Sequence, residues 1–399
     1  MTYDGLLDPL GSSQILPYVK GISKHQDEVV ILSFEKSERF LYGKAGLLSD
    51  LQNYSIIWKP LQFTKGLGFI GKSWDLCRMY IMALTIAWKH NIEVVHTRGH
   101  QPALVGVFIK HITKAKFLFD FRGLWVDERV DKGGWDLNYF FHRLQYRFFK
   151  KVERKLLTQS DHVVVLTHKV VNEIIKLGAT KKSNITVIPC CANYNHFRLS
   201  TETDKIDARI SLGIPTDAFV LGYLGSIGKM YMLDKFFQLF VMTTKNRVNC
   251  HALLITPDTD QLKPLMNRHL AHNLLERIHI KSATYDQVPN LLPAMDVMVS
   301  FITSTYARMG ASLTKMSECF AVGIPVVSNS GVGDVKQIID QLDGGWMVDP
   351  LSGDGLMETV QNLDIISAKG GRRLREVSRP MLGLNFAAKC YQSVYEKLI

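Results

Sequence analysis

Short runs of β-branched and aromatic residues alternate with longer amphipathic stretches along nearly the whole chain. The first series of candidate strands is Val29–Phe34, Glu93–Thr97, Lys116–Phe121, His162–Thr167 and Thr186–Pro189. A second series is Phe219–Gly225, Cys250–Thr256, Arg277–Ala283, Asp296–Ile302 and Ile324–Ser328. Helical patterns fill the gaps, among them Lys72–His90, Leu137–Thr158, Leu233–Lys245, Leu313–Val322 and Val332–Gln341. Strand-helix alternation predicts an α/β chain with parallel sheets covered by helices on both faces. The polar stretch from Asn193 to Thr216 separates the series and reads as a linker with a short helix. The pattern therefore predicts two Rossmann-like domains, residues 1–192 and 193–382. A closing helix over about 383–399 is expected to pack back on the first.

Ligands of such sheets bind beyond the carboxyl ends of the strands. That directs attention to Asp4–Gln14, Thr97–Gln101, Asp120–Arg129, Gly225–Tyr231 and Thr303–Glu318.

Composition narrows the class. The 399 residues are 46% hydrophobic and 21% charged, enough for large cores. No apolar run approaches the ~18 residues of a membrane span. The longest, Tyr80–Trp88, reads as a buried helix. The start has neither a basic stretch nor an apolar core, so no secretion signal is expected. The six cysteines form no C-x-x-C pair, which fits reduced thiols in a cytoplasmic protein. A net charge of +11 fits nucleic acid, an anionic membrane surface or phosphorylated substrates. Residues 142–155 form a basic amphipathic helix, suited either to a membrane interface or to a core with a solvated basic face. No nucleic-acid motif accompanies the charge.

The most chemical segment is Ser312-Leu313-Thr314-Lys315-Met316-Ser317-Glu318. Ser312 or Thr314 can cap a helix there, whose free N–H groups and positive dipole end attract anions. Lys315 adds a full charge, and Glu318 shares its face, able to accept bonds from paired ribose hydroxyls. A plain surface Lys–Glu pair has the same spacing.

Lys315-x-x-Glu318-x-x-Ala321-x-Gly323-Ile324-Pro325-Val326-Val327 resembles the donor-site signature of the family-four retaining glycosyltransferases of GT-B fold. Other segments extend the likeness in order along nearly the whole chain. Asp4–Gln14 resembles the family's glycine loop, and Asp120–Arg129 a segment of one branch. Val187–Asn193 resembles its inter-domain turn, and Gly331–Asp334 a loop after the last core strand. The resemblance implies two Rossmann-like domains facing across a cleft and transfer of a sugar from a nucleotide diphosphate donor with retention. It implies that backbone near Leu313 and Thr314, with Lys315, holds phosphates and that Glu318 binds the ribose. Gly11 and Ser12 would approach the phosphates. Asp120 and Arg122 would face the acceptor and reacting sugar, and His96, Arg98 and His100 would line the same cleft. Asp120, Arg122 and His100 are the candidate catalytic residues. His96 and His100 can equally be hydrogen-bonded structural histidines, and Arg122 with Asp127–Arg129 a structural ion network.

Three positions depart from the family pattern. Gly310 stands where a glutamate is common, and Ser226 and Tyr231 stand where two cations are common, after Gly225. Lys229, Arg308 and Lys315 are the available replacements. Those departures keep a second reading open, a non-catalytic nucleotide-sugar-binding subunit. No metal and no cofactor is expected, the nucleotide sugar being substrate; Asp258-Thr259-Asp260 reads as a helix cap. The expected partners are that donor and a glycan or lipid-linked acceptor, with an anionic membrane surface at the inner face. Met1–Tyr3 supplies only the tail of a first strand, so the sheet is either clipped there or continues upstream.

Overall fold

The computed structural model describes residues 1–24, 28–179 and 181–399. The chain divides into two compact units, Met1–Pro189 with Leu384–Ile399, and Cys190–Gly383. The boundary falls three residues before the expected one, and the closing helix belongs with the first unit.

In the first unit, β1 (Val29–Glu35) pairs with β2 (Ile56–Gln62), and β3 (Val94–Arg98), β4 (Lys116–Asp120), β5 (His162–Val165) and β6 (Ile185–Val187) form a second parallel sheet in that order. Met1–Thr2 joins the two. Thr2 donates its N–H to Leu32, and Arg98 donates to Met1. Met1–Thr2 thus bridges β1 and β3. Below it lies a cavity of about 220 Å³, walled by Ile31, Val95 and Ile86 and reaching His96 and Asp120.

In the second unit, β7 (Phe219–Leu224), β8 (Cys250–Ile255), β9 (Ile278–Lys281), β10 (Val297–Ser300), β11 (Val326–Asn329) and β12 (Gly345–Val348) form one parallel sheet in the order 12-11-10-7-8-9. Its strands are apolar on both faces because helices cover both, and Val220, Leu221, Leu253, Met298 and Val326 are fully buried. The segment read as a linker is built into this unit. Its helix Glu202–Leu212 opens with a capping box of Thr201 and Asp204. It delivers buried Arg209 to Asp296, 2.8 Å away, whose carboxylate also accepts the Val220 N–H.

Two strands go beyond the predicted set, β2 and β12, and both are sheet edges. Pro60 interrupts the apolar run of β2, a residue tolerated where one side needs no ladder bonds. The buried-helix reading of Tyr80–Trp88 is corrected. These residues lie in the helix Gly68–Lys89, whose inner side packs on the sheet through Met79, Ala83 and Ile86. Its outer side leaves Ile81 and Trp88 exposed.

Histidines in both units are held neutral. Burial pushes His96, His162, His251 and His279 below the usual value, His162 to about 4. His162 opens β5 and bonds to Thr186 Oγ1 at 2.8 Å. Its folded-state pKa lies below its unfolded one, so the unfolded chain takes up the proton first. The stability is present above about pH 6.5 and is lost as pH falls toward 4. We expect acidification across that window to lower stability, by up to roughly 3 kcal/mol through His162. His162→Gln should flatten the profile; urea unfolding of both proteins from pH 7 downward reads the difference.

Candidate active site

In the second unit the chain leaves β7 for β8 on one side and β10 for β11 on the other. The loops at their carboxyl ends part there, at the switch point where sheets of this kind bind ligands. The loop after β7 runs from Gly225 to Met232 and the loop after β10 from Phe301 to Leu313. They are stitched together: Tyr231 and Ile302 form a bridge, and Thr303 donates its N–H to Met230. Asn329, ending β11, clasps Ile302 with both arms of its amide, at 2.8 Å each. Gly225, Ser226 and Lys229 therefore share one edge with Arg308, and Ser226 and Lys229 are exposed. Tyr231 serves through its backbone. Asp258 stands at the N-cap of the next helix without capping it; its side chain instead accepts from Ile227 N at 2.8 Å and sets the β7 loop.

Arg308 lies buried in the 3-10 turn Tyr306–Gly310. Its Nη2 meets Met230 Sδ at 2.5 Å, and its Nε has no hydrogen-bond partner. A guanidinium held this way retains donor capacity for an anion. Beyond it the helix Thr314–Val322 begins, with Leu313 at the N-cap and no side-chain cap. The expected caps act otherwise. Ser312 Oγ accepts from Cys190 N and Ser317 Oγ donates to Cys190 O, tying the first turn to the start of the unit. Thr314 is the first helical residue. The opening N–H groups thus have no side-chain cap competing for them. Lys315 Nζ lies 3.1 Å from Glu318 Oε2, and the Glu318 side chain is 2% exposed against 39% for Lys315. A buried carboxylate on a half-exposed lysine is not the plain surface pair that its spacing also allows.

The first unit presents its own edge. Asp120 ends β4 and is buried. Its Oδ1 lies 3.7 Å from Arg122 and has no hydrogen-bond partner; its Oδ2 accepts from Tyr391 at 3.2 Å. Burial opposes the charge, yet Arg122, His96 and Arg98 together hold the carboxyl below the usual range. His96 Nε2 faces it at 3.9 Å, while His96 Nδ1 lies 2.7 Å from the Tyr395 hydroxyl. Arg122 has φ 51°, a left-handed backbone that costs a non-glycine residue about 1–3 kcal/mol and concentrates at functional sites. Arg98 reaches Asp4 at 3.3 Å.

Gly11 and Ser12 lie in the helix Pro9–Gln14 on the same edge. A Cβ on Gly11 would stand 1.9 Å from Gly5 O, so the glycine is required by its own loop. Ser12 Oγ bonds back to Asp8 O and Pro9 O. The loop hangs on Glu35, which ends β1, is buried, and accepts from Leu6 N and Leu7 N at 2.8 and 3.2 Å.

His100, a candidate catalytic residue, sits in a hydrogen-bonded network. Its side chain is 9% exposed, its Nε2 meets Glu153 Oε2 at 2.9 Å, and its ring sits against Phe119, Phe121 and Trp125. Glu153 is bound in turn by Lys150 at 2.5 Å, and Lys150 by Asp127 at 2.9 Å. This chain of contacts links three helices. Glu35, Tyr391, Tyr395 and Glu153 were not singled out by sequence. The tyrosines lie 271 and 299 residues from their partners. Only Glu35 carries a local sign, an acidic residue closing an apolar strand. Among the described residues no group of three or more His, Cys, Asp or Glu side chains is placed to hold a metal ion.

Two units of parallel strands covered by helices define a GT-B architecture. Residues 18–195 match the family Glycosyltransferase Family 4 and residues 204–364 match Glycosyl transferases group 1. The chain belongs to this glycosyltransferase family and is a glycosyltransferase. No curated protein matches significantly by sequence. Similar solved structures include HepE of Anabaena with UDP and glucose, at 14% identity and TM-score 0.68, covering 100% of this chain and 98% of that one. A glycosyltransferase of Rickettsia africae ESF-5 has 17% identity and TM-score 0.68, covering 100% and 97%. WaaG, a glycosyltransferase involved in lipopolysaccharide biosynthesis, has 14% identity and TM-score 0.62, covering 100% and 96%.

His100→Ala leaves Glu153 with Lys150 alone in a buried site, and losing a hydrogen bond to a buried carboxylate costs about 1.5–3 kcal/mol. Denaturant titration should show the loss as a lower midpoint. A midpoint within error of the parent would mean that His100 is not a structural residue.

Proposed function

We propose that this glycosyltransferase moves a sugar from a nucleoside diphosphate donor to a glycan or lipid-linked acceptor, with retention, in synthesis of a surface polysaccharide or glycolipid. The observation that carries the donor assignment is the buried Glu318 beside Lys315 on the uncapped helix at the switch point of the second unit. The helix N–H groups and the Lys315 ammonium hold the diphosphate, and Glu318 accepts from the ribose hydroxyls. Arg308 and Lys229 supply the cations that Ser226 and Tyr231 do not. Gly310 offers no carboxylate to the donor sugar, so that contact falls elsewhere. Bound UDP in the HepE structures supports testing uridine donors first.

In the reaction the bond from the anomeric carbon to the diphosphate breaks and the acceptor oxygen bonds to that carbon on the same face. The acceptor proton passes to a donor phosphate oxygen. Cations and helix N–H groups that are fixed beforehand stabilise the charge that grows on the leaving diphosphate. The ionised, buried Asp120 and its neighbour Arg122 serve the acceptor and the developing positive charge on the sugar. Involvement in lipopolysaccharide-type synthesis is supported by the likeness to WaaG. The protein works at the inner face of a membrane, as a lipid-linked acceptor requires.

Nucleotide binding is read by thermal shift with UDP, GDP, ADP and their sugars. A ligand at 100 times its Kd should stabilise the native chain by about 2.7 kcal/mol. Lys315→Ala should weaken binding by about 1.5–3 kcal/mol through loss of a charge-assisted bond, and Glu318→Ala should act alike. If no nucleotide shifts the transition, the donor assignment fails. Asp120→Asn keeps shape while removing charge; we expect the nucleotide shift to survive and kcat to fall about 100-fold or more. Unchanged turnover would remove Asp120 from the reaction.

A further inference from the structure

The helices Gly68–Lys89, His100–Thr113 and Phe140–Gln159 follow β2, β3 and β4 as the chain steps in one direction across the first unit's sheet. Right-handed crossovers put all three on one face. They lie side by side. Tyr80 of the first meets Phe108 of the second edge-on at 5.0 Å, and Lys110 of the second bonds to Gln159 O of the third at 2.9 Å.

The outer side of this layer is unusual in two ways. It is apolar: Trp74, Ile81 and Trp88 recur every second turn and are 58%, 69% and 62% exposed. On the third helix Phe140, Phe141 and Leu144 are 65%, 75% and 56% exposed. It is also free of exposed negative charge among the described residues. The only acids in the three helices are Asp75 and Glu153, each fully buried and paired with a cation. Lys72 and Lys89 are exposed on the first helix, and Arg143, Arg147, Lys151, Arg154 and Lys155 on the third.

From this pattern we infer that the outer face of the three-helix layer is a docking surface for an anionic lipid bilayer. Tryptophan and phenylalanine side chains enter the headgroup region, and the surrounding lysines and arginines meet lipid phosphates. The charge argues against a second copy of the chain as occupant. A symmetric contact would set the same seven cations against their own images, with no carboxylate to answer them. The surface reaches well past the basic helix of residues 142–155. The stripe of the first helix, with Trp74 and Trp88, doubles its width. Helices Gly68–Lys89 and Phe140–Gln159 start at the edge where the strands end, so Trp74 and Phe141 lie toward the same edge as Asp4, Arg98 and Asp120. Docking there presents that edge to an acceptor carried in the membrane, a service that rests on the glycosyl-transfer reading; the docking itself does not.

Flotation of the full chain with phosphatidylcholine vesicles, with and without phosphatidylglycerol, tests the assignment. Binding should require the anionic lipid and weaken as salt rises. Ile81→Glu and Phe141→Glu should each reduce it roughly tenfold or more, and Arg147→Glu with Lys151→Glu likewise. Unchanged melting transitions and intact nucleotide shifts establish that these variants are folded and that the donor site is separate. The inference is overturned if the wild type stays unbound at low salt or if the variants float as it does. It is equally overturned if the substitutions instead dissociate a dimer seen by sedimentation.

Discussion

In the second unit everything follows from where two neighbouring strands send their chains. β7 and β10 run parallel, yet their continuations leave in opposite directions, so the backbone must open between them. An opening at the end of a sheet exposes peptide groups that cannot pair with each other. Here the gap is closed from the sides by Asn329, Asp258 and the Tyr231–Ile302 bridge. What is left facing the gap is positive: a half-satisfied guanidinium, an ammonium and a helix start.

The first unit solves a related problem with buried carboxylates. Glu35, Asp120 and Glu153 all lie out of water, and each is answered differently. Glu35 takes backbone N–H groups and so fixes a loop. Glu153 takes a histidine and a lysine and so fixes helices. Asp120 is surrounded by cations and a tyrosine but keeps one oxygen without a hydrogen bond. Three groups of one chemistry thus divide into two that are fully engaged and one with an acceptor oxygen to spare.

Local pattern carried the strand series, because buried parallel strands are apolar throughout and seldom resemble anything else. It failed at β2 and β12, where edge position relaxes the demand for continuous apolar residues. It also failed on Tyr80–Trp88, since an apolar run records the absence of charge and not the side that faces the sheet. At the site, Lys315 and Glu318 were legible because a helix start, a cation and a carboxylate are neighbours in sequence. The caps were not: Ser312 and Ser317 both turn to Cys190, more than 120 residues away. His100 shows the same limit. Its position after a strand is that of a catalytic histidine, and only the fold reveals that Glu153 already holds it.

The returning helix Leu384–Leu398 has a consequence for how the molecule comes into being. Tyr391 closes on Asp120 and stands edge-on to Tyr18, so the first unit is finished by residues that leave the ribosome after the whole of the second unit. Residues 190–383 can close their sheet as soon as they emerge, while the unit that began first waits with an uncovered flank. The order of synthesis and the order of completion are therefore reversed. The Tyr391 bond to the Asp120 carboxylate, and the Tyr395 contact to its neighbour His96, form only after residues 190–383 have been made.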